Sequence, residues 1–395
     1  MSSEPIVRIA ARGDGVTASG IHVPFGVPGD QLRADGSLVE GPGHQVPSCR
    51  HFPTCGGCQL QHLTDNAYAD YCRSRVEGAL AQHGLSTVIR APHLSPPHSR
   101  RRATLRALKT GNRVMLGFNE GGSNRVVDLF ECHVLRPELF ALLAPLRRLL
   151  ATILPAKRAG EVHLTLADQG VDVLLKGVAV EGLEAVESLT EFCEANRLAR
   201  LSIDDGFGPE ARYEPRPVTV GLGGVAVPLA VGAFLQATQD GEAALVDAVR
   251  EVTEGAGQIA DLFAGLGTFA FALDARVVAA EAARDEVLAL KAASNRSGGS
   301  VVADHRDLYR RPYDRTELGV FDAVVLDPPR SGALEQVKEL AASPVPRVAY
   351  VSCNPATFAR DAEILVAGGY RLSWVRPVGQ FRWSTHVELA AAFSR

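Results

Sequence analysis

The sequence predicts an α/β fold: a Rossmann-like, doubly wound parallel sheet in the C-terminal part, an α+β central domain, and a small β module at the N-terminus. Three observations predict it. Short apolar runs at 259–263, 277–281, 301–303, 323–326 and 348–352 alternate with helical or glycine-rich segments, the rhythm of parallel strands joined by crossover helices. A Gly-x-Gly turn follows the first run, and polar segments follow the fourth and fifth. Upstream, the pattern changes to irregular β-type runs and a cysteine-rich loop.

Taken in order, residues 1–47 mix short β-type runs around Ile6 and Ile21 with many glycines and turn residues, a module too short for a full barrel. Cys49, Cys55 and Cys58 lie in a Gly/Cys-rich loop. Thr64 then caps a helix carrying Tyr68, Tyr71, Val76 and Leu80 toward Gly84. Runs 162–166 and 171–175 read as strands and 182–196 as a helix, so 48–60 and 96–232 form the central domain. Segment 61–95 is assigned with 233–395 to the C-terminal domain, whose last two β-type runs, 370–378 and 387–393, suit an antiparallel pair at the sheet edge.

Composition narrows the class. With 46% hydrophobic residues, the 395-residue chain buries a core large enough for two or three domains. No stretch is long and apolar enough to cross a bilayer, and residues 1–15 lack a secretory pattern, so a cytoplasmic protein without membrane contact is expected. No obligate protein partner is evident. The seven cysteines are an odd number and cluster toward one end, which favours metal ligation or catalysis over a disulfide framework. A net charge of -4 argues against a broadly basic surface. The run Arg100-Arg101-Arg102, followed by Arg106, Lys109 and Arg113, is a local basic face for a polyanion.

Ligands of open α/β sheets sit beyond the carboxyl ends of the strands. There stands Asp261-Leu262-Phe263-Ala264-Gly265-Leu266-Gly267-Thr268, whose glycines allow close backbone approach, and Glu281 at the end of the second strand can accept from ribose hydroxyls. The third glycine of a dinucleotide fingerprint is absent, so S-adenosylmethionine is expected rather than a nicotinamide. Asp327-Pro328-Pro329-Arg330-Ser331-Gly332 and Ser352-Cys353-Asn354-Pro355 close the same crevice. Cys353 precedes a helix start, which favours a thiolate nucleophile. Such a thiolate lets an enzyme methylate carbon 5 of uracil, because addition at carbon 6 creates the carbon nucleophile; a base must then remove the carbon-5 proton. Glu388 is the candidate base, with His386 as competitor. Cys49, Cys55, Cys58 and the distant Cys132 supply four thiolates, enough for tetrahedral zinc or a 4Fe-4S cluster. Cys72 and Cys193 read as packing residues in helices.

On these motifs the chain resembles the bacterial RNA 5-methyluridine methyltransferases over nearly its whole length, especially the ribosomal RNA members with an iron-sulfur cluster. The residues that carry the resemblance are Ser352 to Thr357 with Arg360 and Asp361, Asp327 to Gly332, and Cys49, Cys55, Cys58 and Cys132. The resemblance implies methylation of a uridine in structured RNA, 23S ribosomal RNA above all, with Cys353 as nucleophile and Glu388 as base. It implies that Gln236, Phe263, Thr268, Glu281, Asp307 and Asp327 surround S-adenosylmethionine, and that the four cysteines hold a 4Fe-4S cluster. The basic run at Arg100 to Arg102 would then contact RNA phosphates. Thr268 and Asp307 stand where the family has asparagines, Arg382-Trp383 where a Pro-His pair is common, and the N-terminal module looks like a shortened TRAM domain. Three readings compete: 5-methyluridine formation in the T-loop of transfer RNA, methylation of an amino group, and a non-catalytic iron-sulfur RNA-binding scaffold.

Overall fold

The computed structural model describes residues 3–111, 113–156 and 158–395. Strands Glu4–Ile9, Gly15–Thr17, His22–Val23, Gln31–Leu32 and Leu38–Val39 form an antiparallel five-stranded sheet. Strands this short bury few side chains, and a buried carboxylate organises their turns. Asp30 accepts from the N–H groups of Val27 and Gly41 and meets His44 Nε2, each at 2.8 Å. Ile9 and Val27 share a core with Leu60, Leu63 and helix Asp65–Gln82, whose N-terminus is capped by Thr64.

The central six-stranded sheet runs in the order Pro209–Tyr213, Arg200–Asp204, Gly170–Lys176, Ala159–Ala167, Arg102–Thr110, Arg113–Gly117. One neighbouring pair, Gly170–Lys176 with Arg200–Asp204, is parallel, since helix Leu183–Ala195 crosses over between them. The alternation Ala103, Leu105, Ala107 turns one face of the sheet toward helix Leu143–Ile153 in a shared core.

The C-terminal sheet has nine strands. Val301–His305, Arg276–Glu281, Gln258–Leu262, Ala323–Leu326 and Arg347–Ser352 lie side by side and parallel. Glu388–Ser394 and Arg371–Gly379 do pair antiparallel, but they do not form the edge expected for them. Glu388–Ser394 inserts beside Arg347–Ser352, and Arg371–Gly379 is itself covered by Val88–Ile89 and His93–Leu94. The run Leu389-Ala390-Ala391-Ala392-Phe393 is buried throughout, with no polar alternation, and such a strand belongs inside a sheet covered on both faces. Helix Asp65–Gln82 packs on helix Pro355–Ala367 and on Arg371–Gly379. Crossovers leave to opposite sides between Gln258–Leu262 and Ala323–Leu326, so the crevice opens above this pair. Among the described residues no helix is long and apolar enough to cross a membrane.

Candidate active site

A cavity of about 840 Å³ opens at the carboxyl ends of these strands. Gln236, Phe263, Thr268, Glu281, Asp307, Asp327, Cys353 and Glu388 all line it. Residues from seven separate segments thus converge where the strand order reverses.

At one end the backbone is shaped for close approach. Phe263 has φ +63°, a conformation rarely adopted by a bulky residue, and it ends strand Gln258–Leu262 by turning the chain sharply. Gly267 has φ +90°, and a Cβ there would lie 2.7 Å from Leu290 and 2.8 Å from Phe271. Glu281 accepts from the N–H of Gly265 at 2.9 Å and from Ala282 and Ala283 at 2.7 and 2.8 Å. Its carboxylate therefore ties the glycine turn to the start of helix Arg284–Arg296. Asp307 accepts from Tyr309 N–H at 3.0 Å, which brings the Tyr309 ring to 5.4 Å from that of Phe263. The result is an aromatic wall flanked by two carboxylates, a surface suited to a nucleoside.

At the other end buried acids gather. Gln236 Nε2 donates to Asp327 at 3.2 Å, and Gln380 Nε2 donates to Gln236 Oε1 at 2.7 Å. Gln380 Oε1 accepts from Ala237 N–H at 2.8 Å, which fixes the orientation of both amides. Burial pushes Asp327 up to about 7. Glu388 rises to about 8 through burial and then the Asp327 charge, with Gln380, Arg330 and Arg102 opposing. Asp261 beneath the turn reaches about 8, chiefly through burial; one carboxyl oxygen accepts from Ala270 and the other has no partner among the described residues.

The helix-start expectation for Cys353 is corrected here. Its thiol is pushed up to about 11, first by burial and then by Glu388 and Asp327. The helix N-terminus offers little in return, because Pro355 has no N–H and the Ala356 N–H is taken by Asn354 Oδ1 at 3.1 Å. The loop over Cys353 is clamped to the same helix: the Arg330 carbonyl accepts from Asn354 Nδ2 at 3.0 Å and Thr357 Oγ1 at 3.1 Å. His386, the competing base, sits 2.6 Å from the Arg330 guanidinium, and burial followed by that charge lowers it.

The basic run is also corrected. Arg101 is only 3% exposed; it bonds Glu242 at 2.5 Å and the Gln236 carbonyl at 3.0 Å. Arg100 and Arg102 line the cavity rather than a solvated face, Arg100 near the Phe381 ring at 5.4 Å and Arg102 over Phe234 at 4.3 Å. Arg101 braces the site from inside, while Arg100 and Arg102 furnish its mouth.

Cys49, Cys55, Cys58 and Cys132 line one small cavity of about 20 Å³ and form no disulfide. Each thiol is raised by burial, Cys55 to about 11 and Cys58 to about 12, and Cys49, Cys55 and Cys58 also feel the charge of others in the set. Among the described residues, no three ligating side chains come close enough to hold a single ion. Cys72 and Cys193 are fully buried in helices Asp65–Gln82 and Leu183–Ala195.

Tyr309 carries no signal in the sequence alone. Gln380 announces itself only through the polarity of a glutamine at a strand end, Val378-Gly379-Gln380.

This crevice, at the switch point of a doubly wound sheet, defines an S-adenosylmethionine-dependent methyltransferase fold, and comparison with known proteins says which. Residues 229–395 match the family model described as tRNA (Uracil-5-)-methyltransferase. An uncharacterized RNA methyltransferase of Zymomonas mobilis is 49% identical over 99% of this chain and 99% of its own. The 23S rRNA (uracil(1939)-C(5))-methyltransferase of Shewanella frigidimarina is 33% identical over 88% of this chain and 82% of its own. The crystal structure of the Pyrococcus abyssi tRNA (uracil-54, C5)-methyltransferase in complex with S-adenosyl-L-homocysteine shares the fold, with a TM-score of 0.77 over 99% of both chains at 23% identity. The chain belongs to the RNA 5-methyluridine methyltransferase family. It is an enzyme that transfers a methyl group from S-adenosylmethionine to carbon 5 of uracil in RNA.

Proposed function

We propose that the enzyme methylates one uridine of 23S ribosomal RNA through a covalent adduct with Cys353. The carrying observation is that the Cys353 thiol and the Glu388 carboxyl line the same cavity as the glycine turn. Cys353 Sγ adds to carbon 6 of the flipped uracil, and carbon 5 takes the methyl group from the sulfonium of the donor, which leaves as the neutral thioether. Glu388 then accepts the carbon-5 proton, the carbon 6–sulfur bond breaks, and the thiolate is restored. Glu388 is favoured over His386 because its carboxyl faces the crevice with a pKa near working pH, while His386 is engaged by Arg330. Gln236, Phe263, Thr268, Glu281, Asp307 and Asp327 surround the donor: an aromatic wall and the Glu281 carboxylate suit its adenosine, and Asp327 suits its cationic end.

Ribosomal RNA as substrate is supported by the 23S enzyme of Shewanella frigidimarina. Mapping 5-methyluridine in 23S and transfer RNA from a deletion strain, complemented with wild type or Cys353→Ala, tests it. Loss of one ribosomal 5-methyluridine restored only by the wild type is expected; loss in transfer RNA would overturn the substrate and keep the chemistry. RNA carrying 5-fluorouridine should accumulate a stable adduct with the wild type and none with Cys353→Ala.

The same proposal assigns Cys49, Cys55, Cys58 and Cys132 to a 4Fe-4S cluster. Four thiols around one cavity fit such a group. The resemblance to family members with an iron-sulfur cluster favours 4Fe-4S over zinc. When bound, it would supply a rigid clamp between residues 49–58 and Cys132.

A further inference from the structure

The segment leading to Glu388 rests on the cysteine loop through one residue. Trp383 has φ +59°, a left-handed conformation that a bulky residue keeps only where its surroundings hold it. Its carbonyl accepts from the backbone N–H of Gln59 at 2.8 Å and of Leu60 at 2.9 Å, the two residues that follow Cys58. Gln59 Oε1 accepts from Thr385 N–H at 3.3 Å, and Gln59 Nε2 donates to the Gly56 carbonyl at 2.6 Å within the cysteine turn. Two neighbouring loops are thereby laced together.

The side chain points to the reason. The indole is 4% exposed and packs with Cys58, Cys132 and Val134. Its Nε1 is buried and finds no acceptor among the described residues. A buried N–H without an acceptor costs free energy, and it persists where the acceptor arrives with a bound group. Neutral thiols are poor acceptors, whereas sulfur bound to iron carries negative charge and accepts well.

We infer that Trp383 is a positioning residue joining the cysteine centre to the catalytic loop: its indole N–H donates to a sulfur of the cluster, while its carbonyl anchors the segment that ends at Glu388. The inference rests on the cluster reading above. It gives a cluster that moves no electrons an influence on methyl transfer, because loading the centre completes the bonding of Trp383 and so steadies the loop five residues before the base.

The chain has two tryptophans, so Trp374→Phe leaves Trp383 as the sole indole. Full-length protein is prepared anaerobically and its iron and acid-labile sulfide are counted. Trp383 emission is then recorded before and after chelation, and the cluster midpoint potential is compared among wild type, Trp383→Phe and Trp383→His. Emission should rise several-fold on stripping. Trp383→Phe keeps an aromatic filler but loses the N–H; it should lower the potential, since a donor to sulfur favours the more negative reduced state. Trp383→His, which keeps a ring N–H, should restore part of the shift. In a cluster-loaded protein, unchanged emission on stripping or equal potentials in wild type and Trp383→Phe would overturn the inference and leave the cluster reading intact. Protein that binds no iron or sulfide under these conditions sinks the cluster reading, and the inference with it.

Discussion

Removing the charge of Asp327 should stabilise the empty enzyme while destroying its activity. Asp327 is half-buried in the crevice and rises from 3.8 to about 7, with burial as the cause. A carboxyl raised in the folded state favours folding while both states are protonated, and that advantage erodes as pH climbs from the unfolded value to the folded one. The window here runs from about pH 4 to about pH 7, and at about 1.4 kcal/mol per pH unit the full cost is about 4 kcal/mol. By about pH 5.5 half of it, about 2 kcal/mol, has already been incurred. Asp327→Asn keeps an oxygen to accept from Gln236 and cannot ionise. Its gain over wild type should therefore be about twice as large at about pH 8.5 as at about pH 5.5. With unfolding entropy of about 2.1 cal/mol/K per residue, the larger gain raises Tm by about 5 °C in this 395-residue chain. Thermal melts of ligand-free wild type and Asp327→Asn at the two pH values read this directly. An Asn variant no more stable than wild type at about pH 8.5, or equally gained at both pH values, refutes the buried-charge reasoning.

Other outcomes follow from the same geometry. Glu388→Gln should form the Cys353 adduct with ordinary uridine RNA yet fail to release it, so methylated RNA remains covalently bound on denaturing gels; free turnover would remove Glu388 from the proton step. Gln380→Leu strips the bonds that orient Gln236, and should lower kcat by about tenfold, one hydrogen bond being worth about 1 kcal/mol or more when its partner is left buried. Its pH–rate profile should move with it, because Gln380 also opposes the upward shift of Glu388; an unmoved profile would reduce Gln380 to packing. Arg101→Met leaves Glu242 buried without its partner and should cost about 3–5 kcal/mol in urea unfolding. The salt slope of RNA binding should stay the same, since Arg101 is inside the protein.

Much of the fold was legible because its cause is local. The five parallel strands are apolar on both faces and announce themselves without partners, and Thr64 marks its helix by side-chain chemistry alone. Val88–Ile89 and His93–Leu94 were not legible, for two residues carry no periodicity and become strands only by pairing with Arg371–Gly379. The eight expected site residues do line one cavity, since strand ends in an open sheet converge whatever lies between them. Their protonation was not legible. The Cys353 thiol is set by burial and by Glu388 and Asp327, three effects that exist only in three dimensions. Arg101 was misplaced for the same reason, because its partner Glu242 lies 141 residues away along the chain.

The acidity of the crevice gives the proposed reaction an order. Without ligand, Asp327, Glu388 and Asp261 hold protons to about pH 7 or 8, and the Cys353 thiol to about 11, since each new negative charge would face the others in a buried space. A thiolate in that setting is strongly disfavoured, which spares the empty enzyme from oxidation and idle alkylation. A sulfonium is the counter-charge such a site lacks. Its positive charge offsets those of Asp327 and Glu388 and lets both ionise, which readies Glu388 to accept the carbon-5 proton, and the same charge lowers the cost of forming the Cys353 thiolate once the methyl donor is in place. Donor binding must then expel protons at neutral pH. Calorimetric titration in two buffers of different ionisation enthalpy should show release for S-adenosylmethionine and much less for the uncharged S-adenosylhomocysteine thioether; equal release with both would mean that the sulfonium charge plays no part in priming Cys353.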